Sequence, residues 1–301
     1  MAYRFLNRTI SASILLLFTA FFIIFGFSCS SAPKRPAAVF TDRNIAANQL
    51  TMANKAANQG RFTEALQLLE EARRLAVATD DPPLLIRTSI ARGNFLFSLG
   101  HHEEAFSHWE AARLEAQRSG DNNLAVLAQI YTERGRLVLL DDSAGNTNAI
   151  EEIRNNVNSL TSSIRSDPAS QAAGFLVIGM AEKELGRYAE AERSVRQALA
   201  LHERNLYLEE IAYNWFFLAS VYSVSGRYND ALAALETAIE FDRRAENGFG
   251  LASSWQAMGE VYQKAGNSAL SLRAFARAAG IFRAIGLEDS AIIAETRAAG
   301  L

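Results

Sequence analysis

Ala212–Glu240 reads AYNWFFLASVYSVSGRYNDALAALETAIE. Trp215, Leu218, Ala219 and Tyr222 recur at i, i+3, i+4 and i+7, which places them on one face of a helix. Ser225-Gly226 interrupts that helix with a residue that tolerates a positive φ. A second helical pattern starts at once in Tyr228, Ala231, Leu232, Leu235, Ala238 and Ile239. Two amphipathic helices joined by so short a turn fold back antiparallel and bury their apolar faces on each other. Ala219 and Ala231 lie where the helices cross, and small side chains there permit close approach. The stretch is a helical hairpin.

The hairpin recurs along the chain. Its turn glycine appears as Gly60, Gly100, Gly186, Gly226 and Gly266, with spacings of 40, 86, 40 and 40 residues. The long gap holds a degenerate copy, visible when Arg134-Gly135 is laid on Arg92-Gly93, which puts Asp142 at the turn. A small residue of the first helix then recurs as Ala53, Gly93, Gly135, Gly179, Ala219 and Gly259. One opening the second helix recurs as Ala65, Ala105, Ala149 (after a two-residue insertion), Ala191, Ala231 and Ser271. Glycine inside a helix costs about 1 kcal/mol against alanine, so its repetition points to a packing requirement.

The run Trp215-x-x-Leu218-Ala219-x-x-Tyr222-x-x-x-Gly226-x-Tyr228-x-x-Ala231 resembles the tetratricopeptide repeat. Trp255, Met258, Gly259, Tyr262, Gly266, Phe275 and Ala278 repeat the signature, and Gly179, Gly186, Tyr188, Ala191 and Ala198 give a third copy. The resemblance covers about Ile45 to Arg283. It implies an all-α, right-handed solenoid of about six hairpins closed by a C-terminal capping helix at Ser290–Ala299. The repeats are about 40 residues long, against the usual 34. The third copy departs most, with Asn156 at an alanine position and the insertion near Ser143-Ala144-Gly145-Asn146. Asp81-Pro82 and Asp167-Pro168 each put an N-cap acid before a proline suited to the first helical turn, and Gly120-Asp121-Asn122-Asn123 and Glu246-Asn247-Gly248 mark other junctions.

Hydrophobic residues make up 49% of the 301-residue chain and there are five prolines, as expected of a well-packed helical protein. The formal net charge is −3, and it becomes −5 if Arg4 and Arg8 are removed with residues 1–28. That balance argues against nucleic acid as a partner, since phosphate binding needs a basic stripe. The single cysteine excludes an internal disulfide.

That cysteine defines the N-terminus. Arg4 and Arg8 precede an apolar run from Ile10 to Phe27, a targeting segment over residues 1–28. At 18 residues the run is just long enough to remain as a spanning anchor. Gly26-Phe27-Ser28-Cys29-Ser30 instead resembles a bacterial lipoprotein processing box, with cleavage after Ser28, lipidation of Cys29, and Gly26 replacing the usual leucine. Either way the body is held at a membrane, on the outer face of the inner membrane or on the periplasmic face of the outer one. Serine after Cys29 favours the outer membrane under the common sorting rule. Residues 29–40, with Pro33 and Pro36, read as a flexible tether, and residues 41–301 as the solenoid domain.

No catalytic, metal or cofactor constellation emerges. His101, His102 and His108 lack the i, i+4 spacing of helix-borne ligands, and His102 occupies the slot of Phe62, Tyr188 and Tyr228, a packing position. The pairs Glu70-Glu71, Glu151-Glu152 and Glu209-Glu210 diverge on a helix and read as solvated faces. Trp109, Trp215 and Trp255 fall at packing positions. There is no phosphate loop, nucleophile elbow or nucleophile–base pair, and the chain is not expected to be an enzyme.

The resemblance places a binding groove on the first helix of each hairpin. Mapped onto this chain, its candidates include Asn54, Arg87, Asn94, Phe97, Arg136, Tyr213 and Phe216. Asn54, Asn94 and Arg136 are equivalent in copies one to three, part of the arrangement with which some family members clamp a peptide carboxylate. Tyr213 and Phe216, beside Leu176 and Met180, make an apolar patch suited to a helix or an acyl chain. The expectation is a membrane-tethered scaffold in a bacterial envelope, binding an envelope protein or peptide segment in the groove, with homo-oligomerisation open. Similar lipid-anchored repeat proteins serve outer-membrane or pilus assembly, and others accompany binding-protein-dependent transporters. The alternative is a carrier of a small hydrophobic or anionic ligand for such a transporter, marked by a closed, dry pocket around Phe216 and Met180.

Overall fold

The computed structural model describes residues 41–140, 145–164 and 167–300, and every described segment is helix or the turn between helices. Six hairpins follow one another. They are α1 (Thr41–Asn58) with α2 (Phe62–Ala78), α3 (Pro82–Ser98) with α4 (His102–Ser119), and α5 (Asn122–Val138) with α6 (Thr147–Ser163). The other three are α7 (Pro168–Glu184) with α8 (Tyr188–Asn205), α9 (Leu208–Val224) with α10 (Tyr228–Ala245), and α11 (Gly248–Lys264) with α12 (Ser268–Ala284). A single helix, α13 (Glu288–Ala299), covers α12. The protein is an all-α solenoid of repeats. The expected lipidation site Cys29, the targeting segment, the tether and the Asp142 turn lie outside the described residues.

The junction signals do what their chemistry requires. Asp81, Asp121, Asp167 and Asn247 each accept a hydrogen bond from the backbone N–H three residues on, satisfying a helix N-terminus. Between hairpins the chain passes through the left-handed region at Asp80, Gly120, Leu206, Glu246 and Gly286, one residue before each new helix cap. Glycine is therefore dispensable at this turn, although Leu206 and Glu246 carry the strain of a positive φ.

Inside each hairpin the cores interdigitate by volume. Four of the six crossing positions are glycines, each packed so closely that an added Cβ would clash. A Cβ on Gly93 would lie 2.5 Å from Trp109 Nε1, one on Gly179 2.6 Å from Val195, and one on Gly259 2.8 Å from Phe275. Where the crossing residue is alanine, Ala53 or Ala219, the counterpart sixteen residues on is leucine, Leu69 or Leu235. Trp109, Leu69, Leu235 and Phe275 are all buried. The third hairpin departs from this scheme. Gly135 faces Trp109 and Phe106 of the preceding hairpin, and Ala149 is only half-buried. The insertion lengthens the connection and frees α6 from the crossing, so α6 packs its Ile153 and Val157 into a core shared with Ile130 and Val177.

One result was not predicted. From Thr41 onward the protein is a single compact unit, and within it the solenoid returns on itself. Lys55 Nζ donates to Glu246 Oε2 at 2.7 Å, linking the first hairpin to the fifth. At Gly60 an added Cβ would lie 2.6 Å from the carbonyl oxygen of Ile285, and at Gly248 it would lie 3.8 Å from that of Asn58. The end of α1 is thus seated against the start of α11 and the turn before α13.

Candidate functional site

Ring closure gives the first helices a shared interior. A cavity of about 560 Å³ opens there, walled by α5, α7, α9 and the start of α11, by the junctions that precede α9 and α11, and by Asn58 of α1. Its apolar surface comes from Tyr131, Leu176, Tyr213, Phe216 and Phe249. Tyr213 and Phe216 stack with centroids 6.4 Å apart and planes inclined by 24°.

Part of its polar wall comes from one recurring place, the last turn of the second helix. Ala76, Ala116, Thr161, His202, Asp242 and Phe282 are equivalent in the six hairpins, and all are buried. Each meets the next hairpin near Thr88, Ala128, Gly174, Asn214, Ser254 or Ala294, which are buried too. Hairpins one to three and the last close this seam with small or apolar residues. Hairpins four and five close it with a histidine and an aspartate.

Asn214 Nδ2 meets His202 Nδ1 at 2.8 Å, and burial depresses the imidazole pKa from 6.5 to about 4. At neutral pH the ring is therefore neutral, with Nδ1 accepting from the amide and Nε2 carrying the proton. Asp242 accepts from Asn247 Nδ2 at 2.7 Å and is 2% exposed. Burial, with Glu209 nearby, pushes its pKa from 3.8 to about 7 against the pull of the Asn247 amide. Glu210 also rises, through its enclosure and then through Glu209, although its side chain is exposed along the cavity. Four buried polar atoms of the wall residues have no hydrogen-bond partner: Asn58 Nδ2, Arg134 Nε, Asn214 Oδ1 and Ser254 Oγ.

The structure divides the groove residues expected from the sequence. Tyr213, Phe216 and Leu176 line the cavity. Asn54 and Arg87 are exposed elsewhere on their helices. Asn94 Oδ1 accepts the Trp109 indole N–H at 3.0 Å and bonds Tyr131, so its amide is engaged in packing. Phe97 packs at a tilt against His102, centroids 4.7 Å apart, and against Trp109, 5.5 Å apart. Arg136 pairs with Glu133 at 2.9 Å and reaches Glu152 at 3.7 Å. These five do not line the cavity. Met180 packs into the core between hairpins, so a dry pocket around Phe216 and Met180 does not form.

Among the carboxylate pairs, Glu70, Glu71, Glu151 and Glu152 are ion-paired on the surface as expected of solvated faces. Glu209 and Glu210 are a correction, because closure of the ring turns the start of α9 inward. His202 and Asp242 escaped the sequence reading altogether. The signal existed: aligned by repeat, they are the two ionisable residues in a column of small or apolar ones. Among the described residues no group of three histidine, cysteine, aspartate or glutamate side chains is placed to hold a metal, and no helix is long and apolar enough to cross a membrane.

Family models of the tetratricopeptide repeat match residues 208–284 and 175–206, so these hairpins carry that repeat. No curated protein sequence matches the chain. A crystal structure of a Rap protein complexed with competence and sporulation factor is similar in fold, with 15% identity over 86% of this chain and 75% of that one and a TM-score of 0.55. BtubC from P. vanneervenii aligns with 18% identity over 80% of this chain and 92% of its own, TM-score 0.49. A thermophilic tetratricopeptide protein of Thermus thermophilus aligns with 21% identity over 68% of this chain and 98% of its own, TM-score 0.48.

Proposed function

We propose that this protein is a membrane-tethered binding scaffold of the bacterial envelope, which seats a peptide segment of a partner protein in the interior of its solenoid. The observation that carries the reading is the cavity itself. A concave space of this size, part aromatic and part polar, is what a ligand segment needs for both affinity and orientation. Tetratricopeptide hairpins are interaction modules as a class, and the Rap relative of the same fold holds competence and sporulation factor. Tyr213 and Phe216 give the segment an apolar anchor. Arg134 and Asn58 among the lining residues carry hydrogen-bond donors, and Glu209 and Glu210 carry acceptors, the two kinds of group that a peptide main chain pairs with. Cys29 carries the lipid on this reading, and the tether over residues 29–40 raises the local concentration of a partner on the same membrane. The outer membrane's periplasmic face and the inner membrane's outer face both meet that requirement.

The test is photo-crosslinking in intact cells. A crosslinking side chain at Tyr213 should yield one dominant adduct, and one at exposed Ala233 should not. Replacing Phe216 with alanine should weaken the adduct. Equal products from Tyr213 and Ala233 would refute an interior site.

A further inference from the structure

A second cleft, of about 380 Å³, lies between α10 and α12 over a different face of α11 and shares no residue with the interior cavity. Arg243, Arg273 and Arg277 line it, together with Trp255, Tyr262 and Glu236. Arginines elsewhere on the solenoid are commonly matched to carboxylates, as Arg73 is to Glu70 or Arg227 to Glu192 and Asp230. Here, among the described residues, Arg243 and Arg273 have no ion pair or hydrogen bond, and Glu236 pairs with neither. The Arg277 guanidinium lies 4.5 Å from the centroid of the Trp255 ring, which holds it in place without neutralising it.

The repeat supplies an internal control. One hairpin earlier, the equivalent positions to Arg243, Arg273 and Arg277 are Glu203, Ala233 and Thr237. There Trp215 and Tyr222 keep the places of Trp255 and Tyr262, while Arg196 is paired with Glu192 at 2.9 Å. The fold therefore does not require arginine at these positions. Three arginines and one glutamate line the cleft, so it carries an excess of positive charge that an anion would offset.

We infer that this cleft binds a phosphoryl group. A guanidinium fork matches two oxygens of an oxyanion, and a carboxylate is satisfied by one such fork. Several forks with the Tyr262 hydroxyl suit a dianion with three or four oxygens. The group could arrive on a free phosphate compound or on a lipid headgroup, and the chemistry recognised is the same.

The experiment uses the solenoid with its native residues and pyrophosphate as the soluble probe, titrated calorimetrically at low ionic strength. Phosphatidylcholine vesicles with and without phosphatidate form the second arm, read by co-sedimentation. Arg243→Gln and Arg273→Gln should each weaken binding by about tenfold, the loss expected of one charge-assisted hydrogen-bonding side chain. Arg244→Gln, adjacent but turned onto Phe241, should leave it unchanged. Binding of pyrophosphate alone assigns a soluble ligand, and binding of phosphatidate vesicles alone assigns a headgroup. No binding of either probe, or equal binding by all variants, would overturn the assignment.

Discussion

Replacing Asp242 with asparagine, and separately His202 with glutamine, should tilt the pH dependence of stability in opposite directions. Asp242 has its pKa raised from 3.8 unfolded to about 7 folded. The folded state therefore holds a proton that the unfolded state releases, and stability falls as pH rises through this interval, by about 4 kcal/mol in all. His202 has its pKa lowered from 6.5 to about 4. The unfolded state holds its proton, and stability rises with pH over that interval, by about 3 kcal/mol. In the natural protein the two slopes nearly cancel. Asp242→Asn keeps the acceptor for Asn247 Nδ2 and removes only the titration. Its stability relative to the natural protein should climb by about 4 kcal/mol between pH 4 and 7, and that of His202→Gln should drop by about 3 kcal/mol between pH 4 and 6.5. Urea unfolding followed by circular dichroism across this range measures both. Difference curves that are flat, or that slope the same way, would refute the claim that the seam buries a neutral histidine and a protonated aspartate.

Three further outcomes follow from the packing and the N-terminal reading. Gly93→Ala drives a methyl into Trp109 and should lower stability by about 1–3 kcal/mol, with a shifted tryptophan emission; an unchanged melting temperature would discredit the hairpin phasing. Leu206→Gly relieves a positive φ of 56° at a side chain 74% exposed, and should stabilise by about 1 kcal/mol in thermal melts, where a loss would contradict the left-handed turn. Cys29→Ser should abolish incorporation of labelled fatty acid in cells, and persistent labelling would refute lipidation at that residue.

Most of the fold was legible because a solenoid is built from local rules. The helical period, the small residues at each crossing and the capping acids act within one repeat, and six aligned copies reveal each requirement several times over. Gly93 shows how directly: its glycine demanded a close neighbour, and Trp109 is that neighbour. The site was legible in part. Tyr213 and Phe216 lie on the inner side of a first helix wherever the solenoid runs, so the periodic pattern sufficed to place them. Asn94 and Arg136 were read as groove residues from the same pattern, yet side chains on neighbouring helices engage them.

What the sequence could not supply was the rise and rotation from one hairpin to the next. Small differences at each seam add over six repeats, and their sum decides whether the first hairpin meets the last. The meeting of Lys55 with Glu246 and of Gly60 with Ile285 is such a sum. It encloses the interior, turns Glu209 and Glu210 inward and gives His202 and Asp242 a cavity to border. Local chemistry wrote the hairpins into the chain; the closed interior exists only once all of them have stacked.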